Sequence, residues 1–342
     1  MIMRGFRFHT LLLATAAMLV AGPAHAQKID ITVPANTPDI GNVTAAISGT
    51  TVFRVSTSGD VTVFSGTGSR QSAGAVSNTI TIGCTGLNNG VKDPCNAQNV
   101  VVRVTPTATQ TGRRADRLTN LQAAINSGAQ IVRAPSWDGN SLTFTIGPIG
   151  HRGSKSFRLG LDLPILGGFS AAGRTTSGYF VEAGFAPDYS ASASGAAAAT
   201  VRNPTQIDKG PDLRFGAILQ NGASTGTITL DATTGVVSSS NPGGLVVNAH
   251  SAIPAGRALY SIASEAGQLI NVTVPTSFTM TGPGGLITVS TTKTFSGGSV
   301  TMPGSPGTSS NQDIGIGGTF NVSGKLNSGS YTGTFSVVFS WN

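Results

Sequence analysis

The last fourteen residues, Gly329 to Asn342, constrain the fold more than any other stretch. Tyr331, Phe335, Val337, Phe339 and Trp341 share one parity, while Ser330, Thr332, Thr334, Ser336 and Ser340 share the other, with Val338 as the exception. Successive side chains of a strand point to opposite faces, so the segment reads as a strand with one aromatic, apolar face. It carries no charged side chain. An apolar strand with an open edge invites pairing with another chain.

The rest of the chain repeats this texture. Val52–Val55, Val61–Phe64, Thr79–Ile82, Val100–Val104 and Leu142–Ile146 are β-rich runs separated by Gly, Ser and Asn, as are Leu213–Ile218, Thr227–Leu230, Leu245–Val247, Leu259–Ile262, Ile270–Val274 and Leu286–Val289. Turn-separated strands at this spacing predict β-sandwiches. The 46 glycines, with many Thr, Ser and Val, fit short strands and tight turns. One exception is expected between Arg114 and Ser127, where Leu118, Leu121, Ala124 and Ile125 have helical spacing. Ile29–Val33 alternates too, and reads as a first strand rather than a donor strand for a neighbour.

Residues 1–26 read as a secretory signal. Arg4 and Arg7 precede an apolar run from Leu11 to Val20, and Ala24-His25-Ala26 is a small-x-small cleavage site. Removing those two arginines from 21 basic residues leaves 19 against 14 acidic ones, a net charge of +5. The excess is spread out. No dense basic stripe interleaved with aromatics exists, which argues against a nucleic-acid partner.

Ala186–Thr200 is small and polar, without apolar periodicity, and reads as a linker. The expected organisation is therefore a signal over 1–26, an N-terminal sandwich over 27–187, a linker over 188–202 and a second sandwich over 203–342. A loose echo of 156–185 in 318–335 hints that both share one topology. Cys84 and Cys95, eleven apart in an exported chain, read as a hairpin-loop disulfide, with a metal pair the lesser possibility.

Leu213–Ile218, Ile316–Val322 and Gly329–Val337 carry a resemblance. Through them, the C-terminal 140 residues resemble a pilin domain of the chaperone–usher fimbrial families. They are most similar to uncharacterised secreted pilin-like domains with a Gly-Gly…Gly-x-Tyr-x-Gly-Thr ending. In fimbrial pilins a glycine fourteenth from the end and a penultimate aromatic mark the strand that a periplasmic chaperone grips. Gly329 and Trp341 match those positions, although the aromatic is usually tyrosine. The resemblance implies an immunoglobulin-like sandwich lacking its last strand, completed first by the chaperone and then by the next subunit. It makes Tyr331, Phe335, Val337, Phe339 and Trp341 the assembly residues. An ordinary final core strand of a complete sandwich is the alternative.

Catalysis is not expected. Beyond the signal, only His151 and His250 remain, and no nucleophile elbow or zinc helix is present. Neither a metal nor another cofactor is implied. Gly147–Gly153 reads as a turn with a solvated His151. Arg113, Arg114 and Arg117 form the densest basic patch, either a site for acidic ligands or a solvated helix face. Ser136-Trp137-Asp138-Gly139-Asn140 reads either as a sugar platform built on Trp137, Asp138 and Asn140, or as a plug and a turn.

The sequence thus predicts an exported, all-β protein of two immunoglobulin-like or pilin-like sandwiches in tandem. The expected role is that of a surface-fimbria subunit, a tip or minor adhesin. Its expected partners are a periplasmic chaperone, an outer-membrane usher, neighbouring pilins and a glycan or surface receptor. Its expected route runs through the periplasm to the cell surface. A stand-alone secreted carbohydrate-binding or matrix protein with two complete sandwiches is the rival reading, and a hydrolase a weaker one.

Overall fold

The structure, a computed structural model, describes residues 29–341 apart from 36–37, 77, 86–92, 113 and 127, and leaves the side chains at 108–111 undescribed. The signal expected at 1–26 lies outside the described residues. Up to Arg202 the elements are β1 (Ile29–Thr32), β2 (Asp39–Thr44), β3 (Thr50–Val55), β4 (Val61–Ser65), β5 (Ser69–Ser72), β6 (Thr79–Cys84), a one-turn helix α1 (Pro94–Ala97), β7 (Val100–Thr111), β8 (Thr119–Ile125), β9 (Ile131–Trp137), β10 (Leu142–Ile146), β11 (Ser154–Leu166), β12 (Gly173–Phe185) and β13 (Ala191–Arg202). One sheet has the order β1-β6-β11-β3-β4, with β8 also on β11; the other runs β5-β2-β13-β12-β7-β10-β9.

The two sheets face each other across one core. Alternation along β3, β6 and β11 buries Phe53, Val55, Ile80, Ile82, Phe157, Leu159, Leu161 and Leu163, and along β7, β10 and β12 it buries Val102, Val104, Phe144, Ile146, Tyr179 and Val181. Phe144 and Phe157 meet edge to face between the sheets, with ring centroids 5.0 Å apart. This is a β-sandwich. Ile29–Thr32 is its first strand, paired with β6.

Beyond Arg202 come β14 (Gln206–Lys209), β15 (Leu219–Gln220), β16 (Gly226–Leu230), β17 (Val237–Ser239), β18 (Leu245–Val246), β19 (Ala258–Glu265), β20 (Leu269–Thr273), β21 (Ser277–Gly282), β22 (Gly285–Lys293), β23 (Ser299–Thr301), β24 (Ser309–Val322) and β25 (Val338–Trp341). A sheet of order β14-β19-β24-β16-β17, with β22 on β24 and β21 on β22, packs against a three-stranded sheet β23-β20-β25. The apolar interior here falls into two clusters. One surrounds Ile228, Leu230, Val289 and Phe320; the other surrounds Ile262, Ile270, Val272, Met302 and Ile314. The strand orders of the two bodies differ, so the loose internal echo does not extend to a common topology. Among the described residues no strand pairing joins the two bodies, and no helix is long and apolar enough to cross a membrane.

Three local expectations are overturned. The segment read as a linker over 188–202 holds β13, which pairs antiparallel with β12 and parallel with β2, and buries Ala197, Ala198, Ala199 and Val201. Ala197, Ala199 and Val201 face the core and Ala198 is buried on the opposite face, so small residues buried in succession erase the apolar periodicity that marks most core strands. Only Asn203, Pro204 and Thr205 separate β13 from β14.

The helix expected over 114–127 is β8, paired with β11. Its register shifts at Gly160/Asp162, and Asn120 sits at φ 49°. This bulge turns Leu118 and Leu121, three residues apart, to the same buried side and so imitates helical spacing. Leu213–Ile218 forms no strand. It is held by a bridge from Arg214 to Gly256, by backbone bonds of Ala217 with Ile253 and Ala249, and by the buried Phe215, whose ring lies 4.8 Å edge-on to Phe320. Gly216, at φ 76°, turns the chain away from an extended path.

Candidate functional site

The C-terminal segment crosses from one sheet of its sandwich to the other. Thr332 forms a bridge with Thr281 of β21, and β25 pairs with β20 from Thr273↔Val338 to Ile270↔Trp341. Between them, residues 333–337 belong to no strand. The alternation read from the sequence persists. Tyr331, Phe335, Val337 and Phe339 are half-buried, and Thr334, Ser336, Val338 and Ser340 are exposed. Trp341 departs from it, at 45 % exposure. β25 lies at a sheet edge with β20 as its one strand partner among the described residues.

Tyr331, Phe335, Val337 and Phe339 each have a contact. Phe335 stacks on Phe278, and Phe339 meets Tyr260 at 5.3 Å between centroids. Val337 and Phe339 border the cluster around Ile262 and Ile270. The Tyr331 hydroxyl accepts from the Gly284 N–H at 2.9 Å and donates to the Asn327 carbonyl at 3.1 Å. Its ring covers Gly282 and Gly284, where a Cβ would come within 2.4 and 2.2 Å of it. Gly329 has φ 147° and sits against Pro283, so this position needs glycine for its backbone alone.

In the first sandwich, Cys84 and Cys95 form a disulfide. Asp93 caps α1, accepting from the Cys95 N–H at 3.0 Å. His151 is not a solvated turn residue: its Nδ1 lies 2.7 Å from Asp93 Oδ2, and its N–H donates to Asn96 Oδ1 at 2.8 Å. The disulfide loop and the 147–153 turn are thereby pinned together.

Trp137 is half-buried against the core at the end of β9. Asp138 accepts from the backbone N–H groups of Asn140 at 2.8 Å and Ser141 at 2.7 Å, and these bonds, that of Ser141 foremost, hold its carboxyl below the usual range. Gly139, at φ 93°, completes the turn. Asn140 stays exposed.

Arg114 and Arg117 do not form a common surface patch. Arg113 lies outside the described residues. Arg114 is 1 % exposed; its Nη1 reaches Ser170 Oγ at 2.5 Å and Asn203 Oδ1 at 3.3 Å, while its Nε and Nη2 have no hydrogen-bond partner. Burial lowers its pKa. Arg117 is exposed, with Nη2 3.5 Å from the Asn140 carbonyl.

A feature not anticipated from the sequence is a shallow concavity of about 460 Å³ on the outer face of the seven-stranded sheet. Arg103, Thr105 and Thr107 of β7 line its floor with Phe180 and Glu182 of β12, and Asn140 and Ser141 of the β9–β10 turn form a wall. The register places Phe180 beside Thr105 and Glu182 beside Arg103. Arg103 directs Nε and Nη2 to Glu182 Oε2, at 2.7 and 2.6 Å, while its guanidinium lies 4.5 Å from the Tyr189 ring centroid.

The family described as a domain of unknown function, DUF4402, matches residues 205–340. No curated protein matches the chain. Among solved structures, the chain is similar to the chaperone–tip adhesion subunit pre-assembly complex CsuC–CsuE from archaic chaperone–usher Csu pili of Acinetobacter baumannii, at 12 % identity, with 91 % of this chain and 100 % of that chain covered and a TM-score of 0.31. It is also similar to CfaE, the adhesive subunit of CFA/I fimbria of enterotoxigenic Escherichia coli, at 10 % identity, with 90 % and 93 % covered and a TM-score of 0.29. BcpA, the major pilin subunit of Bacillus cereus, matches at 11 % identity over 80 % of this chain and 66 % of its own, with a TM-score of 0.28. A tip adhesion subunit of chaperone–usher pili and an adhesive fimbrial subunit are thus among the proteins this chain is similar to.

Proposed function

We propose that this chain is an exported subunit of a surface fimbria, of the tip or minor adhesin kind, acting by binding and assembly rather than by chemistry. Residues up to Arg202 form its ligand-binding part, and residues 203–342 its pilin-like part. A periplasmic chaperone, an outer-membrane usher and neighbouring subunits are its assembly partners, and a surface receptor is its target.

One observation carries this reading. Residues 333–337 half-bury Phe335 and Val337 and expose the residues between and before them, yet make no ladder, and they lead into an edge strand of four residues. Main-chain groups left without a ladder beside a row of half-covered aromatics are what an added strand completes, with backbone hydrogen bonds for affinity and alternate side chains for register.

The test is expression of the full chain with its fimbrial secretion partners, compared with a chain lacking Phe335–Asn342. The truncated chain should fail to accumulate in the periplasm and be absent from the surface. A truncated chain that folds and reaches the surface normally would overturn the assembly reading and favour a stand-alone secreted binding protein.

A further inference from the structure

We propose that the concavity between β7, β12 and the β9–β10 turn binds a neutral pyranose glycan. This rests on reading the first sandwich as the ligand-binding part, and it gives that part a ligand class and a place. The chemistry of a sugar ring is divided. One face presents C–H groups that stack on an aromatic ring, and its edge presents adjacent hydroxyls that both donate and accept.

The concavity offers the same division. Phe180 stands outward from β12 between the buried Tyr179 and Val181, and gives a half-covered ring as the apolar platform. Around it lie the Thr105 and Thr107 hydroxyls, the Glu182 carboxylate and the Asn140 side chain. Both Arg103 bonds go to Glu182 Oε2, so Oε1 keeps its capacity to accept from a sugar hydroxyl.

Part of this array is held in place before a ligand arrives. Arg103 fixes the Glu182 carboxylate and is itself held against the Tyr189 ring, and the Asn140 backbone is set by its bond to Asp138. Preorganised polar groups lose less conformational freedom on binding. Charge selects among sugars. On the floor Arg103 and Glu182 neutralise each other, so the surface under the ring carries no uncompensated cation, while the exposed Arg117 stands at the rim with Nη2 3.5 Å from the Asn140 carbonyl.

The experiment uses the purified full chain on an array of neutral glucose, galactose, mannose and N-acetylglucosamine oligosaccharides together with sialylated and sulfated ones. Titration calorimetry on the strongest neutral oligosaccharide follows, for wild type, Phe180→Ala and Glu182→Gln. Expected are binding to neutral glycans, about a tenfold or greater loss of affinity in both variants, and melting temperatures close to wild type. Binding to acidic glycans alone, binding to none, or neutral-glycan affinity unchanged in both well-folded variants would overturn the site. If a variant melts early, Thr105→Val replaces it under the same criterion. Surface assembly is scored in parallel: a wild-type chain that assembles but binds no neutral glycan, or a Phe180→Ala chain that assembles and binds as wild type does, sinks this inference and leaves the fimbrial reading standing.

Discussion

Phe335 stacks on Phe278 with ring centroids 4.9 Å apart and planes inclined by 30°, which ties the unladdered part of the C-terminal segment to β21. Four residues on, Phe339 meets Tyr260 of β19. Both partners belong to the same sheet, so the terminal aromatics lie against one layer of their sandwich while β25 pairs within the other.

Phe339→Asp places a charge against Tyr260 and the Ile262 cluster. A loss of about 2–4 kcal/mol in the stability of the second sandwich is expected, from lost packing and a desolvated carboxylate. Thermal melts of the full chain should show one transition moved down and the other unchanged, with less protein accumulating in the periplasm. Val338→Asp, at an exposed position of the same strand, should change little.

Gly195 lies over the buried Tyr179, whose Cζ would stand 2.3 Å from a Cβ at that position. Gly195→Ala should destabilise the first sandwich by about 1–3 kcal/mol, the usual cost of overpacking. A flexible tether would tolerate this change, so a melt unaltered by Gly195→Ala would contradict the strand.

Removing the disulfide by Cys84→Ser with Cys95→Ser should lower stability by about 3 kcal/mol, the entropy that closing so short a loop removes from the unfolded chain. Denaturant titrations with and without reductant should separate wild type by that amount and leave the double variant indifferent.

Asp138 titrates below its ordinary value because backbone N–H groups bond its charged form. Its contribution is therefore fully present above the ordinary aspartate value of about 3.9 and is lost as pH falls through the lowered folded value. Acidification should release the 138–141 turn, visible as faster amide exchange at Asn140 and Ser141. Asp138→Ala should show that fast exchange at neutral pH, with no further change on acidification.

The sequence offers Arg114 either to an acidic-ligand site or to a solvated helix face, and its burial removes it from both. Arg114→Met should leave glycan affinity unchanged. Because two of its nitrogens lack partners, its effect on stability should be neutral to favourable, within about 1–3 kcal/mol. A larger loss of stability in melts would contradict this.

The parts legible in the sequence were those written in local pattern. Alternation from Tyr331 to Phe339 survives in the structure, and Cys84 and Cys95 are close enough in sequence for their pairing to be read. The bulge at Asn120 was hidden because two apolar residues brought to one side of a kinked strand have the spacing of a helix. β13 was hidden because alanine and serine look alike in a buried strand and in a tether. The concavity had no local signature. Arg103 and Glu182 stand 79 positions apart, and only the register between β7 and β12 makes them neighbours.

The parallel pairing of β13 with β2 has a mechanical consequence. The chain leaves the first sandwich along the axis of a strand bonded on both edges, and three residues later it enters the second. Tension applied through the second body pulls β13 lengthwise, so its ladders are strained together in shear instead of being unzipped bond by bond. A body gripped this way holds its shape under load.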